Sequence, residues 1–249
     1  MTVIYEPRGK AREYAELALN LYDGCRHGCR YCYCPAILRR TLTEWSAAPR
    51  PRADVLEHLR REAPRRAAAG DRREILLCFM SDPYQSDEAA EVTGAALAIL
   101  AEHRLAATVL TKGGGRAQRH FDRLAAAGFR FGTTLLLTRQ ADADYWEPGA
   151  APLAERAAAL RRAKAAGVAT WVSVEPVIDP AQALEVIREN LDAVDYWKVG
   201  KLNHRPDVER GIDWAAFLAA AVALLKAAGA RYYIKRDLAR YGEKTAVTG

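Results

Sequence analysis

Short apolar runs rich in β-branched residues alternate with longer Ala/Leu/Arg stretches, a pattern that predicts βα units around a parallel sheet. The runs read as strands are Leu17–Leu21, Ile75–Met80, Ala107–Leu110, Phe131–Leu137, Ala169–Val174 and Val194–Val199. Between them, helical patterning covers residues near 52–68, 88–103, 116–127, 151–166 and 180–190. A further helix, Trp214–Ala228, leads to a short last strand, Tyr232–Ile234. Gly70, Gly128, Gly167 and Gly229 stand where these helices should stop, as expected of left-handed C-terminal caps. No Gly-, Ser- or Pro-rich linker divides the chain, so a single domain over residues 1–249 is expected. Its core spans about 17–203, with a C-terminal helix and strand in 204–249. The expected fold class is α/β, a partial (β/α)6 TIM-type barrel of parallel strands, with chemistry at the strands' carboxyl ends.

Composition fits that picture: 50% of the 249 residues are hydrophobic and 27% charged, as in soluble globular domains. No uncharged apolar run of about eighteen residues occurs, and Arg8, Lys10, Arg12 and Glu13 interrupt the start of the chain. A cytoplasmic protein without a membrane partner is therefore expected. The net charge of +6 is unevenly placed: residues 1–73 hold 15 Lys/Arg against 9 Asp/Glu, and the rest is balanced. Such a basic segment suits a polyanion, nucleic acid included. Alternatively, Arg60, Arg61, Arg65 and Arg66 are the solvated face of a surface helix.

Four of the five cysteines fall between Cys25 and Cys34, a poor disulfide framework and a plausible metal site for a reducing compartment. Cys25, Cys29 and Cys32 form a C-x3-C-x2-C triplet in the loop after the first strand. Three thiolates leave one iron of a 4Fe-4S cubane without a protein ligand, open to a small molecule. A structural zinc would need a fourth ligand, which His27 or Cys34 could supply, but no second C-x-x-C pair exists. A non-catalytic, zinc-stabilised nucleic-acid-binding module is the competing reading from another class. A zinc hydrolase lacks support, because the five histidines form no H-E-x-x-H motif.

The run Asn20-Leu21-Tyr22, then Gly24-Cys25-Arg26-His27-Gly28-Cys29-Arg30-Tyr31-Cys32-Tyr33, strongly resembles the cluster loop of the radical S-adenosylmethionine superfamily. Within it the wording is similar to the spore photoproduct lyase-like (DNA-photolyase-like) branch, which implies DNA repair. The resemblance implies that S-adenosylmethionine chelates the open iron through its amino and carboxylate groups. It implies reductive cleavage to a 5′-deoxyadenosyl radical that abstracts hydrogen from a substrate, with a flavodoxin or ferredoxin as electron donor. Tyr31 and Tyr33 belong to the cofactor-binding loop. Ser81-Asp82, ending the second strand, resembles the family's Ser-Asp motif for the amino-acid end of the cofactor, and Lys112 of Thr111-Lys112 could pair with its carboxylate. Thr133 or Thr134 falls at the family's hydroxyl position on the fourth strand. Ser173 to Val177, Trp197 to Asn203 and, more weakly, Tyr233 to Asp237 resemble later strand-end motifs of the branch. The substrate this implies is nucleic acid, with a peptide or small metabolite as the alternative.

Several positions stay open. Ser81 and Asp82 could instead cap the following helix, and Glu175, Lys198 and Lys201 could be ordinary strand-end charges. Gly113-Gly114-Gly115 reads as a turn or as room for the cofactor, since no Lys-Ser/Thr pair follows to make a phosphate loop. Candidate catalytic residues are Cys34, Cys78, Glu175 and Lys201. The branch places a cysteine two residues before Ser-Asp, where this chain has Phe79. Cys78, one residue earlier, should face away from Ser81 if the strand continues. Cys34 could be a packed thiol, a cluster ligand or a catalytic thiol. Only sixteen residues precede the first expected strand, so substrate contacts are expected from the barrel loops and the C-terminal tail.

Overall fold

The computed structural model describes residues 2–243; Met1 and residues 244–249, at the two ends of the expected domain, lie outside the described residues. In chain order the strands are β1 (Ile4–Tyr5), β2 (Leu17–Leu19), β3 (Tyr22–Asp23), β4 (Arg50–Pro51) and β5 (Ile75–Leu77). They continue with β6 (Ala107–Thr111), β7 (Arg130–Thr134), β8 (Ala169–Val177), β9 (Tyr196–Lys201) and β10 (Tyr232–Ile234). One eight-stranded sheet runs β1-β2-β5-β6-β7-β8-β9-β10, and β3 pairs with β4 apart from it. Every pairing from β2 to β10 is parallel, while β1 lies antiparallel on the outer edge of β2. The fold is a partial barrel: helices follow the strands, and the edges β1 and β10 do not pair with each other.

All residues of β2 and β5 are buried, which is why these strands read as unbroken apolar runs rather than alternating ones. The helices Asp87–Glu102, Pro180–Asn190 and Trp214–Ala227 start at Ser86, Asp179 and Asp213, whose side chains accept from backbone N–H groups of the first turn. Ser86, not Ser81 or Asp82, thus caps the second strand's helix. Among the described residues no helix is long and apolar enough to cross a membrane.

Three expected strands end early: that of Phe131–Leu137 stops at Thr134, and the other two stop for a tertiary reason. The first stops at Leu19, because Asn20 turns its amide to Tyr5 Oη (2.7 Å) and accepts from Met80 N (3.0 Å). The second stops at Leu77, because Cys78 takes a left-handed backbone, φ +62°. The helix expected near 116–127 divides into a 3₁₀ segment, Gly114–His120, and a helix, Phe121–Ala127. The glycine run there supplies close packing, not room for a cofactor: a side chain on Gly113 would collide with Tyr84, and one on Gly114 with Ala151 and Glu155.

The segment before β2 is a structural part of the barrel. A 3₁₀ turn, Gly9–Glu13, runs from the β1 side across to the last strands. Lys10 Nζ donates to Asn203 Oδ1 (3.0 Å) and pairs with Asp237, and Glu13 Oε2 accepts from Tyr233 Oη (2.9 Å) and Arg236 N (2.8 Å). Lys198 Nζ donates to the carbonyls of Glu13 (2.9 Å) and Tyr14 (2.5 Å). The turn is therefore a strap across the seam that the sheet leaves open. In the basic stretch, Arg66 is tied to Glu62, Asp71 and the Ile4 carbonyl, so it fastens β1; Arg60, Arg61 and Arg65 are exposed.

Gly132 of β7 lies in register with Trp171 of β8, whose Nε1 donates to Thr108 Oγ1 (2.9 Å) and pins the indole over the glycine. A methyl group there would enter the indole ring. Gly132→Ala should therefore destabilise the protein by about 1–3 kcal/mol, read as a thermal midpoint lowered by several degrees. An unchanged midpoint would show that the indole can move aside.

Candidate active site

At the carboxyl ends of the parallel strands the chain encloses a cavity of about 440 Å³. Each strand delivers its next residues to the cavity: the cysteine loop after β2, Cys78 to Asp82 after β5, Lys112 after β6, Thr134 from β7, Glu175 from β8, Lys201 from β9 and Lys235 after β10. Cys25, Cys29 and Cys32 all line it, and a left-handed Gly24 and Gly28 let the loop turn back on itself. Gly24 could not be replaced without collision, since a side chain there would meet Pro49 and the Trp45 carbonyl.

The loop is anchored by Asp82. Its Oδ1 accepts from Tyr84 N (2.8 Å) and Thr111 Oγ1 (2.6 Å), and its Oδ2 from Lys112 N (2.7 Å). His27 Nε2 lies 3.0 Å from Oδ2, close enough for charge but out of line for a hydrogen bond, and its Nδ1 meets the Gly149 carbonyl at 2.9 Å. Burial alone would raise the Asp82 pKa, yet His27, Thr111 and Lys112 N outweigh it and hold the carboxyl well below its ordinary value. One carboxylate thus ties the ends of β5 and β6 to the cysteine loop.

A second buried cluster supports the loop from below. Glu147, fully buried, accepts from Arg156 Nη1 (2.5 Å) and from the Tyr31 hydroxyl, with Lys112 Nζ 3.9 Å away. Arg156 also donates to the Ala151 carbonyl (2.7 Å). Nothing in the sequence around Glu147 or Arg156 marks them; only the fold brings them under Tyr31.

Among the described residues no three His, Cys, Asp or Glu side chains are gathered closely enough to share one ion. The cysteines form an open triad on a cavity wall, which suits a polynuclear cluster with one thiolate per iron better than a closed zinc knuckle. Burial pushes the Cys29 thiol up to about 12, so loading a metal there must release protons. Cys34 acts on Cys32 directly: its neighbouring thiol, partly offset by burial, draws the Cys32 thiol below its ordinary value. Cys34 is thus a buried neighbour of a candidate ligand sulfur.

Of the hydroxyl pair on β7, Thr134 lines the cavity, whereas Thr133 is buried and donates to the Thr111 carbonyl (2.7 Å). Tyr31, Tyr33, Ser81 and Lys112 line the cavity too, and Ser81 Oγ is buried there without a hydrogen-bond partner among the described residues. Cys78 corrects the strand-parity expectation: with the strand ended at Leu77, the residue lines the same cavity as Ser81, and burial raises its thiol to about 12.

The far wall carries charges that the sequence leaves as possible solvated ends. Glu175 sits where the β8–β9 register shifts, between Val174 and Val177, opposite a Gly200 that leaves it room. Its Oε2 accepts from Lys235 Nζ (2.5 Å) and from the hydroxyl of Tyr14, a residue no sequence signal marks. Lys198 and Lys201 are both buried; burial lowers Lys198 to about 8, and Lys201 pairs with Glu209 (2.6 Å). The segment around the strap thus adds Tyr14, Lys10 and Arg8 to the cavity wall beside the strand-end loops.

The profile of the Radical SAM superfamily matches residues 19–194. No protein of curated function matches the chain. Among solved structures, spore photoproduct lyase complexed with dinucleoside spore photoproduct is similar over 92% of this chain and 79% of its own, with a TM-score of 0.70 and 16% identity. Streptococcus suis SuiB bound to precursor peptide SuiA is similar over 92% of this chain and 51% of its own, at a TM-score of 0.68 and 11% identity. The same protein bound to S-adenosylmethionine gives 87% and 49%, 0.66 and 10%. At these identities the likeness is one of fold.

Glu147 also predicts an acid response. Burial alone would raise its pKa, but Arg156, Lys112 and Tyr31 together lower it below the unfolded value. Its stabilisation is therefore complete above the unfolded pKa of about 4.3 and fades as pH falls below it. Glu147→Gln should cost about 3–5 kcal/mol near neutrality by leaving Arg156 unpaired, and lose less than the parent between neutrality and pH 3. Denaturant titrations at both pH values check this; parallel acid losses would refute it.

Proposed function

The chain belongs to the Radical SAM superfamily, and we propose that it holds one 4Fe-4S cluster on Cys25, Cys29 and Cys32 and acts on nucleic acid. It is an enzyme of that superfamily, for which S-adenosylmethionine and an iron–sulfur cluster are the implied cofactors. The observation that carries the cluster assignment is the open cysteine triad facing a cavity that also holds the unpartnered Ser81 hydroxyl. Held on Cys25, Cys29 and Cys32, the cluster would supply the single electron on which S-adenosylmethionine radical chemistry at this site would depend.

The protein's own residues then hold and shelter. Ser81, Thr134 and Lys112 present two hydroxyls and an ammonium to the amino-acid end of the cofactor, with Tyr31 keeping Lys112 near its ring (5.6 Å). Asp82 acts through the backbone and His27, since its oxygens are already engaged. Tyr33, Phe79 and Tyr14 form a continuous aromatic wall, with ring centroids 6.0 and 5.9 Å apart, that keeps water from the reacting centre. Glu175, Lys201, Cys78 and Cys34 are the groups within reach of a substrate for proton or hydrogen transfer. Support for nucleic acid comes from the cationic cavity and the spore photoproduct lyase-like motifs; a peptide is the second reading, favoured by the fold likeness to SuiB with its precursor peptide. A flavodoxin or ferredoxin in the cytoplasm completes the proposal as electron donor.

Anaerobic reconstitution should give iron, sulfide and the absorption of a 4Fe-4S cluster, and dithionite with S-adenosylmethionine should release 5′-deoxyadenosine. Cys25→Ala, Cys29→Ala and Cys32→Ala should each abolish both. Colourless, iron-free protein, or zinc near one equivalent, would end the reading. Ser81→Ala should retain the cluster yet weaken S-adenosylmethionine binding about two- to tenfold, the worth of one hydrogen bond; unchanged affinity would remove Ser81 from the cofactor site.

A further inference from the structure

The exposed lining of the cavity has an unusual composition. Of the residues around it, Arg8, Lys10, Ile37 and His204 are the exposed ones: three basic side chains, one apolar and no carboxylate. Behind them stand Lys112, Lys201 and Lys235. The two carboxylates of the wall are already neutralised from within the protein, Asp82 by its backbone and side-chain donors and Glu175 by Tyr14 and Lys235. Lys10, Lys201 and Lys235 are paired in turn with Asp237, Glu209 and Glu175, which leaves Arg8 as the unpaired cation of the exposed lining among the described residues.

The strap fixes where these charges sit. Lys10 is committed to Asn203 and Asp237, and this bridge spans the seam. Arg8 precedes it on one side and His204 follows it on the other, and neither takes part in an ion pair among the described residues. His204 is held in a left-handed backbone, φ +66°, between Asn203, which donates to the Lys201 carbonyl (3.2 Å), and Arg205, whose N–H donates to Glu209 (3.2 Å). A non-glycine residue kept in that conformation at a cavity edge, near the Glu209 carboxylate, points to a role beyond packing.

We infer that Arg8 and His204, flanking the Lys10–Asn203 bridge, form a phosphate-reading lip that holds the backbone of a single-stranded or flipped-out nucleotide substrate. The inference rests on the nucleic-acid reading of the preceding section. Arg8 offers the planar fork that suits a phosphate, and His204 a second donor across the bridge. Exposed Ile37 (66%) offers the nucleotide an apolar edge. The lip borders the cavity that holds the proposed cofactor site, so a base must leave its stack to enter it.

The test is fluorescence anisotropy of a labelled single-stranded deoxyoligonucleotide with the reconstituted protein across a salt series. Arg8→Ala and His204→Ala should each weaken binding by roughly tenfold or less. Arg8→Ala should also reduce the slope of log K against log salt by about 0.7, the value for one single-strand phosphate contact. Arg60→Ala, which removes the same charge from an exposed helix outside the cavity lining, should keep the parental slope. A parental slope in Arg8→Ala, or parental affinity in His204→Ala, would overturn the lip while leaving nucleic acid as substrate. No oligonucleotide binding by the parent protein, or binding of poly-glutamate in its place, would overturn the nucleic-acid reading and the lip with it.

Discussion

A carboxylate buried away from water is tolerated only when its neighbours neutralise it, and Asp82 turns that requirement into the organising joint of the site. Its two oxygens gather Tyr84 N, Thr111 Oγ1, Lys112 N and the His27 ring, which belong to the ends of two strands and to the cysteine loop. Remove that charge and the loop would lose its reference to the sheet. The cysteines could still be adjacent in sequence, but nothing would aim them into the cavity. Tyr31, Glu147 and Arg156 repeat the device one layer down, again with a buried charge fully engaged.

The other half of the cavity is built on the same principle with the opposite sign. Lys198, Lys201 and Lys235 are buried on the last strands, and each is satisfied by carbonyls or a carboxylate. Their partners come from far along the chain: Glu13 and Tyr14 lie in the strap and Glu209 in the loop beyond β9. These contacts close an open barrel without a closing strand. They also bring Tyr14 against Glu175 and Phe79, so the seam and the substrate wall are one structure.

How much of this can be read from the chain depends on the range of the forces involved. The six long βα units are legible because burial on both faces writes continuous apolar runs, and helix ends carry capping residues and glycines. The cysteine triplet is legible because a metal centre demands ligands at short spacing. Asn20 and Cys78 show where such reading stops. Each ends a strand two or three residues early through contacts or a backbone turn that no local pattern records. Parity along a strand then misplaces Cys78, which shares the cavity with Ser81. Between Thr133 and Thr134 the sequence offers two hydroxyls, and only the register of β7 chooses the second as the cavity residue.

The sequence alone determined the βα architecture, the triad and the strand-end motifs, because each is written in residues a few positions apart and driven by local periodicity or chelate spacing. Tertiary structure decided which charges are engaged and which are free. Glu147 with Arg156, Glu175 with Tyr14 and Lys235, and Lys10 with Asn203 meet only after the sheet has curled, across separations that no local pattern encodes. Burial then fixes the outcome: once a charged side chain is withdrawn from water, its partner must be supplied by whichever segment the fold brings alongside.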